Sequence, residues 1–221
     1  SIPNPARVLF DSIQVDYPQF SPNGDGVQDS VQVVYVLGDS MRVTIAVTPA
    51  GAETPRRELA TNVNQFANLR QRVNWNGRID GAVVPDGDYR LRFTGVALTD
   101  DTPVANERLV RVDTTPPVPQ ILAVEPPVFT PEVDSASTVL RVRIRVTGAS
   151  LGDSLAASLR TTKPLALRLV DDFVGDGDYV AKCDSCATPR TRVPDGTYDS
   201  QVTCSDRAVN ETHATAQVDN D

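Results

Sequence analysis

Leu140-Arg141-Val142-Arg143-Ile144-Arg145-Val146-Thr147 alternates apolar and polar residues without a break. Successive side chains on a strand point to opposite faces. This octet therefore reads as a β-strand with Leu, Val and Ile in a core and Arg and Thr outward. Met41, Val43, Ile45 and Val47 repeat the pattern against Arg42, Thr44, Ala46 and Thr48. So do Tyr89, Leu91 and Phe93 against Arg90, Arg92 and Thr94. Further strands are expected at Val31/Val33/Tyr35, Val73/Trp75, Val110/Val112, Leu165/Leu167/Leu169, Tyr179/Ala181/Cys183, Tyr198/Ser200/Val202/Cys204 and Ala214/Ala216/Val218. Val8 and Phe10, then Ile13, Val15 and Tyr17, predict two short strands or one bent strand. Two stretches are less plain. Leu59, Val63, Phe66 and Leu69 have helical spacing, but Asn62, Asn64 and Asn68 are poor helix formers, so strand and loop are expected there. Leu151, Leu155 and Leu159 recur at fours and suggest one short helical excursion.

The two halves share anchors. Val84-Pro85-Asp86-Gly87-Asp88-Tyr89 matches Val193-Pro194-Asp195-Gly196-Thr197-Tyr198 at an offset of 109. Trp75-Asn76 falls opposite Cys183-Asp184 at 108, and Val112-Asp113 opposite Val218-Asp219 at 106. A near-constant spacing indicates internal duplication. The fold class expected is all-β, two tandem immunoglobulin-like β-sandwiches, residues 1–115 and 116–221. Asp113-Thr114-Thr115-Pro116-Pro117 reads as a stiff connector, because proline fixes φ and favours extended backbone before it.

The 221 residues are 40% hydrophobic but only 5% aromatic, so the core must rest on Val, Leu, Ile and Ala. A net charge of −8 argues against nucleic-acid binding, which needs a basic face. No apolar run reaches the ~20 residues of a membrane-spanning helix, so membrane insertion is not expected. No signal peptide precedes Ser1, as in a mature secreted chain or an excised segment. One histidine, His213, with no serine elbow or zinc motif offers no catalytic set; no catalytic and no cofactor-binding residue is assigned. Cys183-Asp184-Ser185-Cys186 has the spacing of redox and zinc sites, but lacks two further near ligands and a helical, parallel setting. A small disulfide between Cys183 and Cys186 is expected in an oxidising compartment, with Cys204 a buried small hydrophobe; Cys183–Cys204 is the alternative. Pairing 179–183 with 198–204 as a hairpin would set Cys183 opposite Tyr198.

Phe20-Ser21-Pro22-Asn23-Gly24-Asp25-Gly26-Val27-Gln28-Asp29 is the candidate metal loop. Asn23, Asp25 and Asp29 stand at positions 1, 3 and 7, as in the early part of a calcium loop, and Val27 offers a carbonyl. Val34 stands where an EF-hand needs a bidentate Glu, so Tyr17, Asp16 or Asp113 would have to complete the shell. The other reading is an Asx turn, with Asn and Asp bonding their own backbone. Asp172, Asp176 and Asp178 form a second acidic group that reads more simply as a turn. Trp75 reads as a core aromatic, with a sugar-stacking platform as the sharper idea.

Phe20-Ser21-Pro22-Asn23-Gly24-Asp25-Gly26 with Asp29 resembles the opening of bacterial surface modules: the Ig-like domain of the flagellar hook-capping protein and the C-terminal modules of gliding-associated proteins. Trp75-Asn76-Gly77, Gly81 and Val84-Pro85-Asp86-Gly87-Asp88-Tyr89 are similar to the following hairpin of that family. Pro194-Asp195-Gly196-Thr197-Tyr198 and Asp206-Arg207-Ala208-Val209-Asn210 look like the ending of bacterial Ig-like repeats. There Val209 replaces the usual glycine and Cys183 stands where Trp would be. The resemblance implies a structural, adhesive or sorting role outside the cytoplasm. With the candidate metal loop and the missing catalytic set, the expectation is a non-enzymatic, extracellular structural or adhesive protein of Ca²⁺-stabilised Ig-like domains, within a surface layer, filament or adhesin stalk. Its partners would be other copies, neighbouring domains of a larger surface protein, or glycans. The N-terminal residues 1–19 would suit strand addition to a neighbour. The alternative is an accessory carbohydrate-binding or sorting module of a secreted hydrolase.

Overall fold

A computed structural model describes residues 10–55, 57–99, 101, 103–129, 139–150, 152–160, 165–183 and 196–220. Among these residues the regular elements are all strands. The chain divides into two compact units, Ser1–Thr114 and Thr115–Asp221.

The first unit holds β1 (Phe10–Val15), β2 (Gln19–Phe20), β3 (Val31–Leu37), β4 (Met41–Pro49), β5 (Arg57–Gln65), β6 (Arg70–Trp75), β7 (Arg78–Ile79), β8 (Ala82–Val83), β9 (Gly87–Ala97) and β10 (Pro103–Val112). One sheet runs β1-β3-β6, the other β2-β10-β9-β4-β5. Alternation sets the register: Ile45 faces Phe93 across β4 and β9, and Val33 faces Val73 across β3 and β6. Val31, Val33, Tyr35 and Leu37 from one sheet meet Met41, Val43, Ile45, Val47, Leu91 and Phe93 from the other in one core. β7 and β8 form a minor hairpin over Asp80-Gly81, both at positive φ (52° and 83°), as a two-residue turn of this twist requires.

The second unit holds β11 (Val118–Glu125), β12 (Val128–Phe129), β13 (Arg141–Thr147), β14 (Ser154–Arg160), β15 (Leu165–Leu169), β16 (Gly177–Lys182), β17 (Gly196–Ser205) and β18 (Glu211–Asn220). Their hydrogen-bonded order is β11-β13-β16-β15-β14-β17-β18-β12. Split at the β15–β16 pairing, this is the first unit's order again: β11-β13-β16 for β1-β3-β6, and β12-β18-β17-β14-β15 for β2-β10-β9-β4-β5. The two units are immunoglobulin-like sandwiches of one topology. Leu140, Val142, Ile144, Leu159, Ala181, Val202 and Cys204 are fully buried in the second core.

Three details differ from the sequence reading or settle it. Leu155 and Leu159 lie on β14, a strand, with Leu159 fully buried; four residues are two strand periods, so the leucine spacing fits both forms. Leu151 lies outside the described residues. Residues 179–183 and 198–204 do not form a hairpin: β16 pairs with β13 and β15, and β17 with β14 and β18. Residues 57–65 and 70–75 are strands, and Val63, Phe66 and Leu69 are exposed.

Candidate functional site

The loop Phe20–Asp29 links β2 to β3 and is closed at its neck by Ser21 N donating to Gln28 O at 3.0 Å. Within it the candidate ligands engage the loop's own amides. Asn23 Oδ1 accepts from Asp25 N at 3.0 Å, and Asp25 Oδ1 accepts from Val27 N at 2.7 Å. Asp29 accepts from Gly24 N on Oδ1 at 2.6 Å and from Gly26 N on Oδ2 at 2.8 Å. Asn23 Nδ2 donates to Asp25 Oδ2 at 3.0 Å. Gly24 and Gly26 hold φ of 88° and 89°, the region open to glycine, which lets both N–H groups reach one carboxylate. These are the Asx-type bonds that the sequence left open beside a cation shell. Each carboxylate oxygen keeps a second lone pair, so Asn23, Asp25, Asp29 and the carbonyl of Val27 still suit a hard cation in chemistry.

Of the three helpers expected from outside the loop, Asp16 and Asp113 accept hydrogen bonds from other groups, and Tyr17 is exposed. Asp16 Oδ1 accepts from Tyr17 N and Gln32 N at 2.7 and 2.8 Å. Asp113 Oδ2 accepts from Gln19 Nε2 at 3.0 Å. Among the described residues no group of three or more His, Cys, Asp or Glu is gathered to hold a metal.

The loop is anchored by apolar contact. Phe20 is fully buried and meets Trp75 edge-on at 5.6 Å; Trp75 meets Tyr89 at 5.2 Å. Edge-to-face pairs of this kind contribute about 0.5–1.5 kcal/mol each beyond area burial. Tyr89 Oη donates to Pro85 O at 2.8 Å, and Trp75 Nε1 to Arg78 O at 3.2 Å. A Cβ on Gly77 would stand 2.6 Å from Pro22 Cγ, so the Trp75-Asn76-Gly77 turn seats directly against the loop. The two sequence motifs of the first unit thus form one packed end. The Pro22–Gly77 contact was not foreseen, because nothing in local spacing joins residues 55 positions apart. Trp75 is only 1% exposed, which overturns the sugar-stacking platform: its ring faces are in the core.

In the second unit Cys183 takes the place of Trp75. Its N–H donates to Leu140 O, as Trp75 lies opposite Val31, and it is buried. Cys183 is disulfide-bonded, whereas Cys204 is free, so the Cys183–Cys204 alternative does not hold. Cys186 lies outside the described residues. Burial pushes the Cys204 thiol up to about 11. Of the second acidic group, Asp176 Oδ1 accepts from Ala149 N at 2.6 Å, and Asp178 sits on β16 in a bidentate pair with Arg145 (2.7 and 2.8 Å). Asp172 is exposed, and His213 is exposed on β18. An open groove of about 400 Å³ on the outer face of the five-stranded sheet is lined by Arg42, Thr44, Asn62, Thr94 and Pro103 among others.

No protein-family model matches the chain, and no curated protein matches it in sequence. Solved structures are similar in fold. The fibronectin(III)-like modules of Clostridium thermocellum CbhA align over 95% of this chain and 93% of theirs, at 12% identity and TM-score 0.45. A tetra-tandem repeat from the extending region of a large adhesion protein aligns over 95% of this chain and 48% of its own, at 15% identity and TM-score 0.39. The FN1–FN3 domains of chicken CNTN1 align over 94% and 66%, at 12% identity and TM-score 0.40. The likeness is one of fold alone.

Proposed function

We propose that this chain is a non-enzymatic, load-bearing spacer of an extracellular structural or adhesive assembly. The observation that supports it is the pairing of the end strands. β2 pairs in parallel with β10, Gln19 beside Arg111 and Phe20 beside Val112. β12 pairs in parallel with β18, Val128 beside Asp219 and Phe129 beside Asn220. In each unit a strand near the entry of the chain is bonded to the last strand, with the same direction. Tension on the two ends loads those bonds in shear, all at once, instead of opening them one by one. The pairs are reinforced by Arg111 N donating to Pro18 O at 2.7 Å and Asp113 N to Phe20 O at 3.1 Å. In the second unit Asp219 N donates to Pro127 O at 3.2 Å.

The experiment is single-molecule pulling on the chain and on Arg111→Pro. The Arg111 N–H points to β2, not to β9, so proline deletes the shear bond and leaves the β9–β10 ladder. The first unit should then unfold at clearly lower force, while Arg111→Ala, which keeps the N–H, should not. Equal forces for Arg111→Pro and the parent chain would defeat the reading.

Calcium enters this proposal as an added clamp on the 23–29 loop. Asn23, Asp25, the Val27 carbonyl and Asp29 would hold it, and the ion would supply charge neutralisation there. It should raise Tm, and Asp25→Ala should abolish the rise. An identical Tm in calcium and in chelator removes calcium and leaves the loop to its own amides.

A further inference from the structure

The outer face of β13, β16 and β15 carries a block of positive charge in a chain whose net charge is −8. Arg141, Arg143 and Arg145 alternate along the exposed side of β13. The register puts Lys182 of β16 directly opposite Arg141, and Arg168 of β15 directly opposite Lys182. Three cations thus stand side by side across three strands, with Arg143 next along the same face. Neighbouring strands lie about 4.8 Å apart and same-face residues about 7 Å apart along a strand.

Like charges directly opposite one another on a sheet cost stability. The acids on this face answer part of that charge. Asp178 forms its bidentate pair with Arg145, and that bonding, with a smaller contribution from Arg143, holds its carboxyl below the usual range. Glu125 of β11 stands opposite Arg141 on the other side, and Arg168 Nη1 also donates to Leu169 O at 3.3 Å. Among the described ion pairs none engages Arg141, Arg143 or Lys182.

We infer that this face docks an acidic polysaccharide, its carboxylates spaced along an extended chain. A row of cations across β13, β16 and the end of β15 that pairs with β16 suits a ligand with repeated anions, and arginine takes carboxylates in bidentate fashion. Among the described strands none presents three acidic side chains on one face, so no described strand of a second copy matches this row. A bilayer is disfavoured because no aromatic side chain lies among these positions to enter it. Nucleic acid is disfavoured because no aromatic side chain stands among these positions for a base to stack on, and among the described residues no helix is available to enter a groove. The inference goes beyond the load-bearing reading and stands without it, since it concerns the outward face of one sheet.

The test is binding of polygalacturonate to the full chain, with neutral dextran, duplex DNA and anionic phospholipid vesicles as competing probes. Polygalacturonate should bind at low salt and weaken as salt rises. The triple variant Arg141→Gln/Arg143→Gln/Lys182→Gln should lose about tenfold or more in affinity. Arg143→Gln alone should lose part of it, which guards against a misfolded triple. Arg42→Gln, in the first unit, should bind as the parent does. No binding at low salt, an unaltered affinity in the variants, or tighter binding of dextran, DNA or vesicles than of polygalacturonate would overturn the inference.

Discussion

At the scale of single residues, Val209 is the position where this chain departs most sharply from its own geometry. It closes the Asp206–Asn210 turn, donating N–H to Asp206 O at 3.1 Å, and its φ is 65°. That region crowds a β-branched side chain, and glycine occupies it freely. The turn is held regardless by buried Asp206, whose Oδ1 accepts from Asn210 N and whose Oδ2 accepts from Asn210 Nδ2. Val209→Gly should therefore stabilise the second unit by about 1 kcal/mol in urea denaturation, the relief of strain exceeding the added freedom of the unfolded chain. Gly77 is the converse case. Its φ of 63° and the 2.6 Å approach to Pro22 mean that Gly77→Ala should cost about 2 kcal/mol or more in the first unit. Cys204 yields a third expectation. With its thiol fully buried and pushed up to about 11, it should resist alkylation at neutral pH in the native chain and react once denatured.

At the scale of elements, period-2 alternation made most strands legible. Val31–Leu37, Met41–Val47, Tyr89–Phe93 and Leu140–Val146 bury the side chains that the pattern placed inward. The pattern was ambiguous where its spacing was a multiple of both periods, as at Leu155 and Leu159. It was also silent on partners. The outward Arg141, Arg143 and Arg145 were readable, but not that Lys182 and Arg168 stand beside them, since cross-strand register is a non-local property. For the 20–29 loop the residues fixed two readings, and the amide bonds to Asp25 and Asp29 were invisible until the backbone was known. Those bonds carry a prediction of their own. Asp29 receives both Gly24 N and Gly26 N, so Asp29→Ala should destabilise the first unit by about 1–2 kcal/mol even in chelator, read by thermal denaturation.

At the scale of the whole molecule, the matched strand orders of the two units are the central fact. The offset of 109 follows from it, Gly87 opening β9 as Gly196 opens β17; the register corrects the anchor at 106, because Gly87 faces Val112 and Gly196 faces Asn220, so Val112 answers to Asn220 and Val218 to Val110, both at 108. Each unit closes its own core and ties its last strand to one near its start. Pulling the unmodified chain from its two ends is the most direct measurement of this account. It should give two separate unfolding steps, each releasing on the order of 350 Å of chain. A single step of about twice that length, or a smooth extension without steps, would contradict two self-contained sandwiches.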